Sequence, residues 1–254
     1  MQKRTGGEIY IGVVGPVRTG KSTFIKRFMD VAVLPYMEDA AQKTRAQDEL
    51  PQSAGGRTIT TTEPKFIPQE AVELKLAGEV TIRVRLVDCV GFMVEGAAGH
   101  LEDGAERLVK TPWYDHEIPF TQAAELGTRK VITDHSTIGV VVTTDGSFSD
   151  LPQETYLDAE NQAISELKKL HKPFLVLVNS SHPSSRTARE AAERIEKQHS
   201  VAAMPVNCAQ LSEEDIRQIM EQILYEFPVS RVEFYMPKWV EMLPFSHPLK
   251  TGLI

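Results

Sequence analysis

A run near the start of the chain, residues 15–23, has the spacing of a loop that binds phosphate groups. Its sequence, Gly-Pro-Val-Arg-Thr-Gly-Lys-Ser-Thr, fits G-x-x-x-x-G-K-[ST]. In such a loop the glycines turn backbone N–H groups toward the phosphates, the lysine adds a cation, and the serine hydroxyl can ligate Mg²⁺. The predicted nucleotide contacts in this loop are Gly15, Arg18, Thr19, Gly20, Lys21, Ser22 and Thr23.

The segments on either side of the loop are the elements that a phosphate site requires. Residues 9–14 form an apolar run typical of a strand, and Phe24, Ile25, Phe28 and Met29 have helical spacing. A helix that begins at Lys21 would add the positive end of its dipole to the site. The alternative is a glycine turn between an unrelated strand and helix, and these two flanks favour the phosphate site.

A second motif, Asp88-Cys89-Val90-Gly91, follows the alternating residues 80–87. This is D-x-x-G, which is typical of GTPase-type folds. The Asp88 carboxylate can hold a water bound to Mg²⁺, and Gly91 can offer its N–H to the terminal phosphate. The two motifs together predict a nucleoside triphosphate site in which Ser22 and Asp88 lie on the metal side.

Two long segments without clear periodicity, residues 35–64 and 92–119, lie where GTPase-type proteins carry their switch loops. The first segment ends in Thr60-Thr61-Thr62-Glu63-Pro64. We predict that Thr62 senses the terminal phosphate and Mg²⁺, with Thr61 as the second choice. The alternative is a polar turn rich in β-branched residues.

At the position where GTPase-type folds recognise guanine, this chain has different residues. GTPase-type folds use N-K-x-D after a strand, whereas this chain has Asn179, followed by Ser180 and, two positions later, His182. Losing the charged acceptor costs about 1.5–3 kcal/mol, so we predict ATP rather than GTP, with Asn179 as a contact. Asp145, at the end of another predicted strand, remains an alternative acceptor for guanine.

The catalytic groups also differ from the small-GTPase pattern, because Phe92 stands where a glutamine often orients the attacking water. Arg18 is the candidate arginine finger in cis, since residues 18–22 resemble the phosphate loop of the guanylate-binding and atlastin families. Such an arginine can contribute about 10³ to 10⁵ in rate. The alternative is a solvent-facing arginine at the rim of the loop. If Arg18 needs a partner subunit to orient it, hydrolysis would be coupled to assembly.

The order of predicted elements indicates an α/β fold: a GTPase-like (TRAFAC-type) P-loop NTPase with a doubly wound, mostly parallel sheet. Residues 71–76 and 80–87 are separated by only three residues, which predicts one antiparallel hairpin strand. The predicted strands are 9–14, 71–76, 80–87, 138–143, 174–179 and 202–207, and the predicted helices are 21–33, 121–134, 152–170, 184–198 and 213–226.

Composition limits the classes of partner and compartment. The net charge of −7, without a cluster of Lys and Arg, argues against nucleic acid as the main partner. The two cysteines, Cys89 and Cys208, lie in or at the end of apolar runs, which predicts buried thiols in a reducing compartment. We predict no signal peptide, because the apolar run behind the basic start, residues 1–4, is short and leads straight into the phosphate loop. We predict no membrane helix, because no apolar run approaches about 20 residues.

Several runs outside the generic nucleotide motifs resemble one family, that of stage IV sporulation protein A. They cover the chain almost from end to end: residues 4–10 (RTGGEIY), 45–54 (RAQDELPQSA), 61–66 (TTEPKF), 86–91 (LVDCVG), 111–114 (TPWY), 127–132 (GTRKVI) and 135–141 (HSTIGVV).

The resemblance implies an ATPase of GTPase-like ancestry that polymerises on the forespore surface, in the mother-cell cytoplasm, as the basement layer of the bacterial spore coat. It assigns Lys21 as the loop lysine, Asp88 as the aspartate on the magnesium side, and Thr61 with Thr62 as sensors. It also implies three kinds of partner: further copies of the chain, spore coat proteins and a small amphipathic membrane-bound peptide.

Members of the family are about twice this length, which implies an ATPase domain over residues 1–227 and a C-terminal tail, 228–254, with an extra strand and the start of the connection to middle and C-terminal domains. The chain is then an N-terminal ATPase fragment or a short relative. Two other functions remain open. One is a GTP-binding switch, and the other is a structural scaffold that nucleotide stabilises with little hydrolysis.

Overall fold

A sheet with mostly parallel strands forms the centre of the fold. The computed structural model describes residues 8–51, 63–75, 81–97, 101–102, 105–227, 242, 244 and 247–248. The strands of the central sheet are β1 (Glu8–Val14), β2 (Lys65–Lys75), β3 (Thr81–Asp88), β8 (Ile138–Thr144), β9 (Phe174–Asn179) and β10 (Ala203–Val206).

These strands lie in the order β10-β9-β8-β1-β3-β2, and only β2 runs antiparallel to its neighbour. The predicted mostly parallel sheet with one antiparallel strand is therefore confirmed. Strand β2 begins six residues earlier than we predicted. Its pairing with β3 shifts register between Ile67 and Val72, and such an irregularity interrupts the alternation by which a strand is recognised in the sequence.

Helices cover both faces of the sheet. They are α1 (Lys21–Phe28), α2 (Ala40–Asp48), α3 (Phe120–Lys130), α4 (Leu157–Lys169), α5 (Arg186–His199) and α6 (Glu213–Tyr225). Helices α1 and α3 continue as π-helical turns, Met29–Val33 and Val131–His135, and short 3₁₀ turns occupy Leu34–Tyr36 and Gln153–Tyr156. One core cluster joins α1 and α6 to the sheet, and a second joins α4, α5 and the turn after α3 to it.

The two segments predicted as irregular contain regular structure, so that prediction was wrong in part. The first contains α2, which buries only Ala46 and therefore shows no amphipathic stripe. Its start is set instead by Asp39, whose side chain accepts a hydrogen bond from the Ala41 N–H at 2.8 Å. The second segment contains two short hairpins, β4 (Leu101–Glu102) with β5 (Ala105–Glu106) and β6 (Leu108–Thr111) with β7 (Tyr114–Pro119).

The topology brings the predicted site residues to one edge of the sheet. Strands β1, β3, β8 and β9 are parallel, so their carboxyl ends meet at that edge, where open α/β sheets bind ligands. Both cysteines are free and buried, as predicted. None of the described helices combines the length and the apolar character needed to cross a bilayer. The predicted tail, 228–254, lies almost wholly outside the described residues.

Candidate nucleotide-binding site

The loop between β1 and α1 has a backbone that turns through conformations favoured by glycine. Gly15, Arg18 and Gly20 have φ values of 129°, 62° and 95°. A side chain could not be added at Gly15, because its Cβ would lie 2.4 Å from the Val142 carbonyl oxygen on β8. The loop is therefore packed directly against the neighbouring strand.

Two buried polar side chains hold this loop in place. The Thr19 hydroxyl donates to the carbonyl oxygens of Pro16 at 3.0 Å and Val142 at 2.6 Å. The Asn179 amide donates to the Thr19 carbonyl at 2.9 Å and accepts from the Cys208 N–H at 3.0 Å. Both side chains bind protein groups here, so their contact with nucleotide stays a prediction, and their observed role is to fix the loop.

Lys21 lies inside the loop, with only 5% of its surface exposed. Its ammonium group donates to the Pro16 carbonyl oxygen at 2.5 Å. Burial lowers the pKa of Lys21, and the neighbouring Cys89 and Asp88 oppose that shift. A cation held in this way is partly desolvated, so a bound phosphate would interact with it more strongly than in water.

Ser22 and Asp88 come together from the loop and from the end of β3, as the two motifs predict. The Ser22 hydroxyl donates to Asp88 Oδ2 at 2.9 Å, and the Cys89 N–H donates to Oδ1 at 2.9 Å. Burial raises the pKa of Asp88, while the bond from Ser22 and the charge of Lys21 act in the opposite direction. A hydroxyl and a carboxylate are the oxygen donors that Mg²⁺ takes beside phosphates, so these residues fit that ion.

The segment after Asp88 is hydrogen-bonded to the loop between β1 and α1. The Phe92 N–H donates to the Gly15 carbonyl at 3.0 Å, and the Val17 N–H donates to the Phe92 carbonyl at 2.9 Å. The Phe92 ring is buried in the core, and the Gly91 N–H donates to Thr128 Oγ1 at 3.0 Å. Gly91 also packs so closely on Lys21 that an added Cβ would lie 2.5 Å from its Nζ.

Arg18 is partly buried and has a left-handed backbone, and Thr23 is partly buried in the first turn of α1. A left-handed backbone at a residue other than glycine costs about 1 kcal/mol or more, and such conformations cluster at functional sites. Thr61 and Thr62 lie outside the described residues.

The residues at the predicted base position form a polar cluster at the ends of β8 and β9. Ser180 is buried, and its hydroxyl accepts from the His182 N–H at 3.0 Å. The Ser181 N–H donates to the Ser147 hydroxyl at 2.8 Å, which joins the two strand ends. Asp145 Oδ1 accepts from the Ser147 N–H at 3.0 Å, while its buried Oδ2 has no hydrogen-bond partner among the described residues.

Sequence reasoning missed Thr128, which lies in α3 and contacts the D-x-x-G segment. The run 127–132 that contains it carries part of the family resemblance, and this was the one available signal. Spacing could not reveal the contact, because 37 residues separate Thr128 from Gly91.

The family model described as "Stage IV sporulation protein A, ATPase domain" matches residues 1–228. The chain belongs to the stage IV sporulation protein A family. It therefore carries the ATPase domain of a family of sporulation proteins.

Relatives from three bacteria show how much of a family member this chain represents. It is 49% identical over 254 residues to Stage IV sporulation protein A of Clostridioides difficile (strain 630), covering 100% of this chain and 52% of the relative. The relatives of the same name from Bacillus anthracis and Bacillus subtilis (strain 168) are each 46% identical over 250 residues, or 98% of this chain and 51% of theirs. The chain thus spans about half the length of these relatives.

Proposed function

We propose that this chain is a GTPase-like P-loop ATPase that binds ATP with Mg²⁺ and hydrolyses it to ADP and phosphate. The observation that carries the proposal is the contact between Ser22 Oγ and Asp88 Oδ2 at 2.9 Å, beside the buried Lys21. It joins the two motifs that nucleotide chemistry requires. Mg²⁺, when bound, would neutralise phosphate charge, and Ser22, Asp88 and Thr62 are its proposed protein partners.

The cationic and sensor residues of the site have specific parts in the proposed reaction. The Lys21 ammonium offsets charge on the transferring phosphoryl group, and the backbone N–H groups of the loop bind the other phosphate oxygens. Arg18 supplies a second cation in the manner of an arginine finger. Thr61 and Thr62 report whether the terminal phosphate is present. Phe92 is buried, so water must be oriented by another group.

Adenine is the proposed base, because Ser180 and His182 stand where guanine recognition needs a lysine and an aspartate. One observation favours GTP as the second candidate. The buried Asp145 Oδ2 is an acceptor without a hydrogen-bond partner in the described part of the chain, and guanine offers two N–H donors to such a carboxylate.

The proposed biological role is self-assembly into the basement layer of the spore coat, on the forespore surface in the mother-cell cytoplasm. Family membership supports this role. Copies of the chain, coat proteins and a small amphipathic membrane-bound peptide are the proposed partners. The chain spans about half the length of its relatives, and by family resemblance the peptide and coat contacts are proposed for the part of the relatives that it does not match.

The test measures phosphate release from ATP and from GTP with Mg²⁺ over a range of protein concentrations. Wild type should hydrolyse ATP selectively, and the rate per molecule should rise with concentration. Lys21→Ala and Arg18→Ala should each lose at least 10²-fold in rate, because each removes a cation from the transferring phosphoryl group. Arg18→Lys tests whether the guanidinium is needed rather than its charge alone.

Matched controls separate catalysis from folding. Lys26→Ala removes an exposed lysine from the same helix as Lys21, and Arg186→Ala removes an exposed arginine; both should hydrolyse ATP like wild type. Preference for GTP would contradict the base assignment. Binding without turnover in wild type would favour the nucleotide-stabilised scaffold over the ATPase.

A further inference from the structure

The Gly91 N–H, the group that D-x-x-G is expected to offer to a terminal phosphate, is already engaged by helix α3. It donates to Thr128 Oγ1 at 3.0 Å, and Thr128 is fully buried. The Thr128 hydroxyl in turn donates to the Ala124 carbonyl at 2.8 Å, within the same helix. The hydroxyl therefore accepts one bond from outside the helix and gives one within it.

The surroundings of Gly91 make this bond a competitor of phosphate rather than a remote contact. Gly91 has φ 104° and lies directly against the Lys21 ammonium and the Gly15 carbonyl. The Lys21 ammonium is itself bound to the Pro16 carbonyl. Both groups that would bind a terminal phosphate thus have protein partners that must be exchanged when it arrives.

We propose that Thr128 is a positioning residue that limits the preference for nucleoside triphosphate over diphosphate, because it holds the Gly91 N–H until a terminal phosphate replaces it. The inference rests on the proposed nucleotide site. The exchange leaves Thr128 satisfied, because its hydroxyl keeps the bond to Ala124 when Gly91 turns away. A diphosphate has no terminal phosphate at Gly91 and leaves the bond intact.

The helix that carries Thr128 follows directly after the hairpin of β6 and β7. Thr128 belongs to α3, and α3 begins directly after β7, where the Phe120 N–H donates to the Arg107 carbonyl at 2.8 Å. The hairpin of β6 and β7 exposes Leu108 and Tyr114. Thr128 and the hairpin thus belong to one continuous segment of the chain.

The test compares affinity for ADP with affinity for the β,γ-imido analogue of ATP, both with Mg²⁺, by calorimetry. Thr128→Val keeps the shape of the side chain and removes the acceptor. It should tighten binding of the triphosphate analogue about five-fold and leave ADP unchanged, because only the triphosphate state satisfies the Gly91 N–H. Thr128→Ser restores the hydroxyl and should restore the wild-type ratio of the two dissociation constants.

Thr44→Val is the matched control, because the Thr44 hydroxyl makes the same bond within a helix, to the Ala40 carbonyl at 2.9 Å, but has no bond to Gly91. Equal shifts for both nucleotides in Thr128→Val, or an unchanged ratio, would overturn the inference. Amide hydrogen exchange at Gly91 gives an independent readout without nucleotide. Thr128→Val should speed exchange at Gly91, and an unchanged exchange rate would overturn the inference. This readout does not depend on nucleotide binding, whereas failure of the chain to bind nucleotide would contradict the proposed function.

Discussion

At the scale of single residues, burial dominates the chemistry of the candidate site. It lowers the pKa of Lys21, raises that of Asp88 and raises the pKa of the Cys89 thiol to about 11. Each shift favours the neutral form, which is what removal from water does to an ionisable group. A bound phosphate or metal ion would therefore interact with these buried groups more strongly than it would in water.

The two thiols provide a residue-scale prediction. Cys89 and Cys208 are buried and free, and burial raises the pKa of both. Because the thiolate is the reactive form, neither should react with an aromatic disulfide reagent at pH 8 while the chain is folded, and both should react in denaturant. Rapid modification of the folded chain would show that one of these thiols is accessible.

At the scale of elements, the cap of α6 is a local feature with a measurable effect. The Ser212 side chain accepts from the Asp215 N–H at 3.2 Å, and the Asp215 carboxylate accepts from the Ser212 N–H at 2.8 Å. Ser212→Ala should lower the free energy of unfolding by about 1 kcal/mol, measured by urea denaturation. Ser184→Ala, at an exposed serine outside any helix, is the control and should change it little.

The packing of α4 on β8 depends on a glycine. A Cβ at Gly139 would lie 2.8 Å from Leu167 Cδ2 and 3.0 Å from Phe174 Cβ. Gly139→Ala should therefore cost about 1–3 kcal/mol through overpacking, measured as a fall in the free energy of unfolding. Combined with Leu167→Val, it should cost less than the sum of the two single changes, and strict additivity would contradict the proposed clash.

At the scale of the whole molecule, one buried charge joins two helices to the sheet. Glu160 on α4 is 1% exposed, accepts from Thr143 on β8 at 2.6 Å and pairs with Arg194 on α5 at 2.7 Å. These contacts connect segments that are far apart in the chain, so they contribute to the cooperativity of the fold as well as to one element.

Removing the arginine of this pair should destabilise the whole domain. Arg194→Ala leaves the Glu160 charge buried without its partner, and we expect a loss of about 3 kcal/mol in the free energy of unfolding. The control is Arg186→Ala, whose pair with Glu190 is exposed and should change the free energy of unfolding little. Equal effects of the two changes would show that the buried pair contributes no more than a surface pair.

The sequence by itself determined the mostly parallel sheet and the family, and it predicted that the loop after β1 and the D-x-x-G segment lie together. These follow from short motifs and from apolar periodicity, which local stretches of chain encode. The sequence did not predict α2, because this helix has no apolar stripe and its start is fixed by the cap of Asp39. It also did not predict the start of β2, because a register shift interrupts the alternation there.

Only the tertiary structure decided which groups meet at the site. It turned the side chains of Thr19 and Asn179 toward protein carbonyl and N–H groups, left Asp145 Oδ2 without a hydrogen-bond partner in the described residues, and placed Thr128 against Gly91. The physical reason is that such contacts join residues distant in sequence. The packing of helices on the sheet selects them, and neither the spacing nor the type of the residues alone specifies that packing.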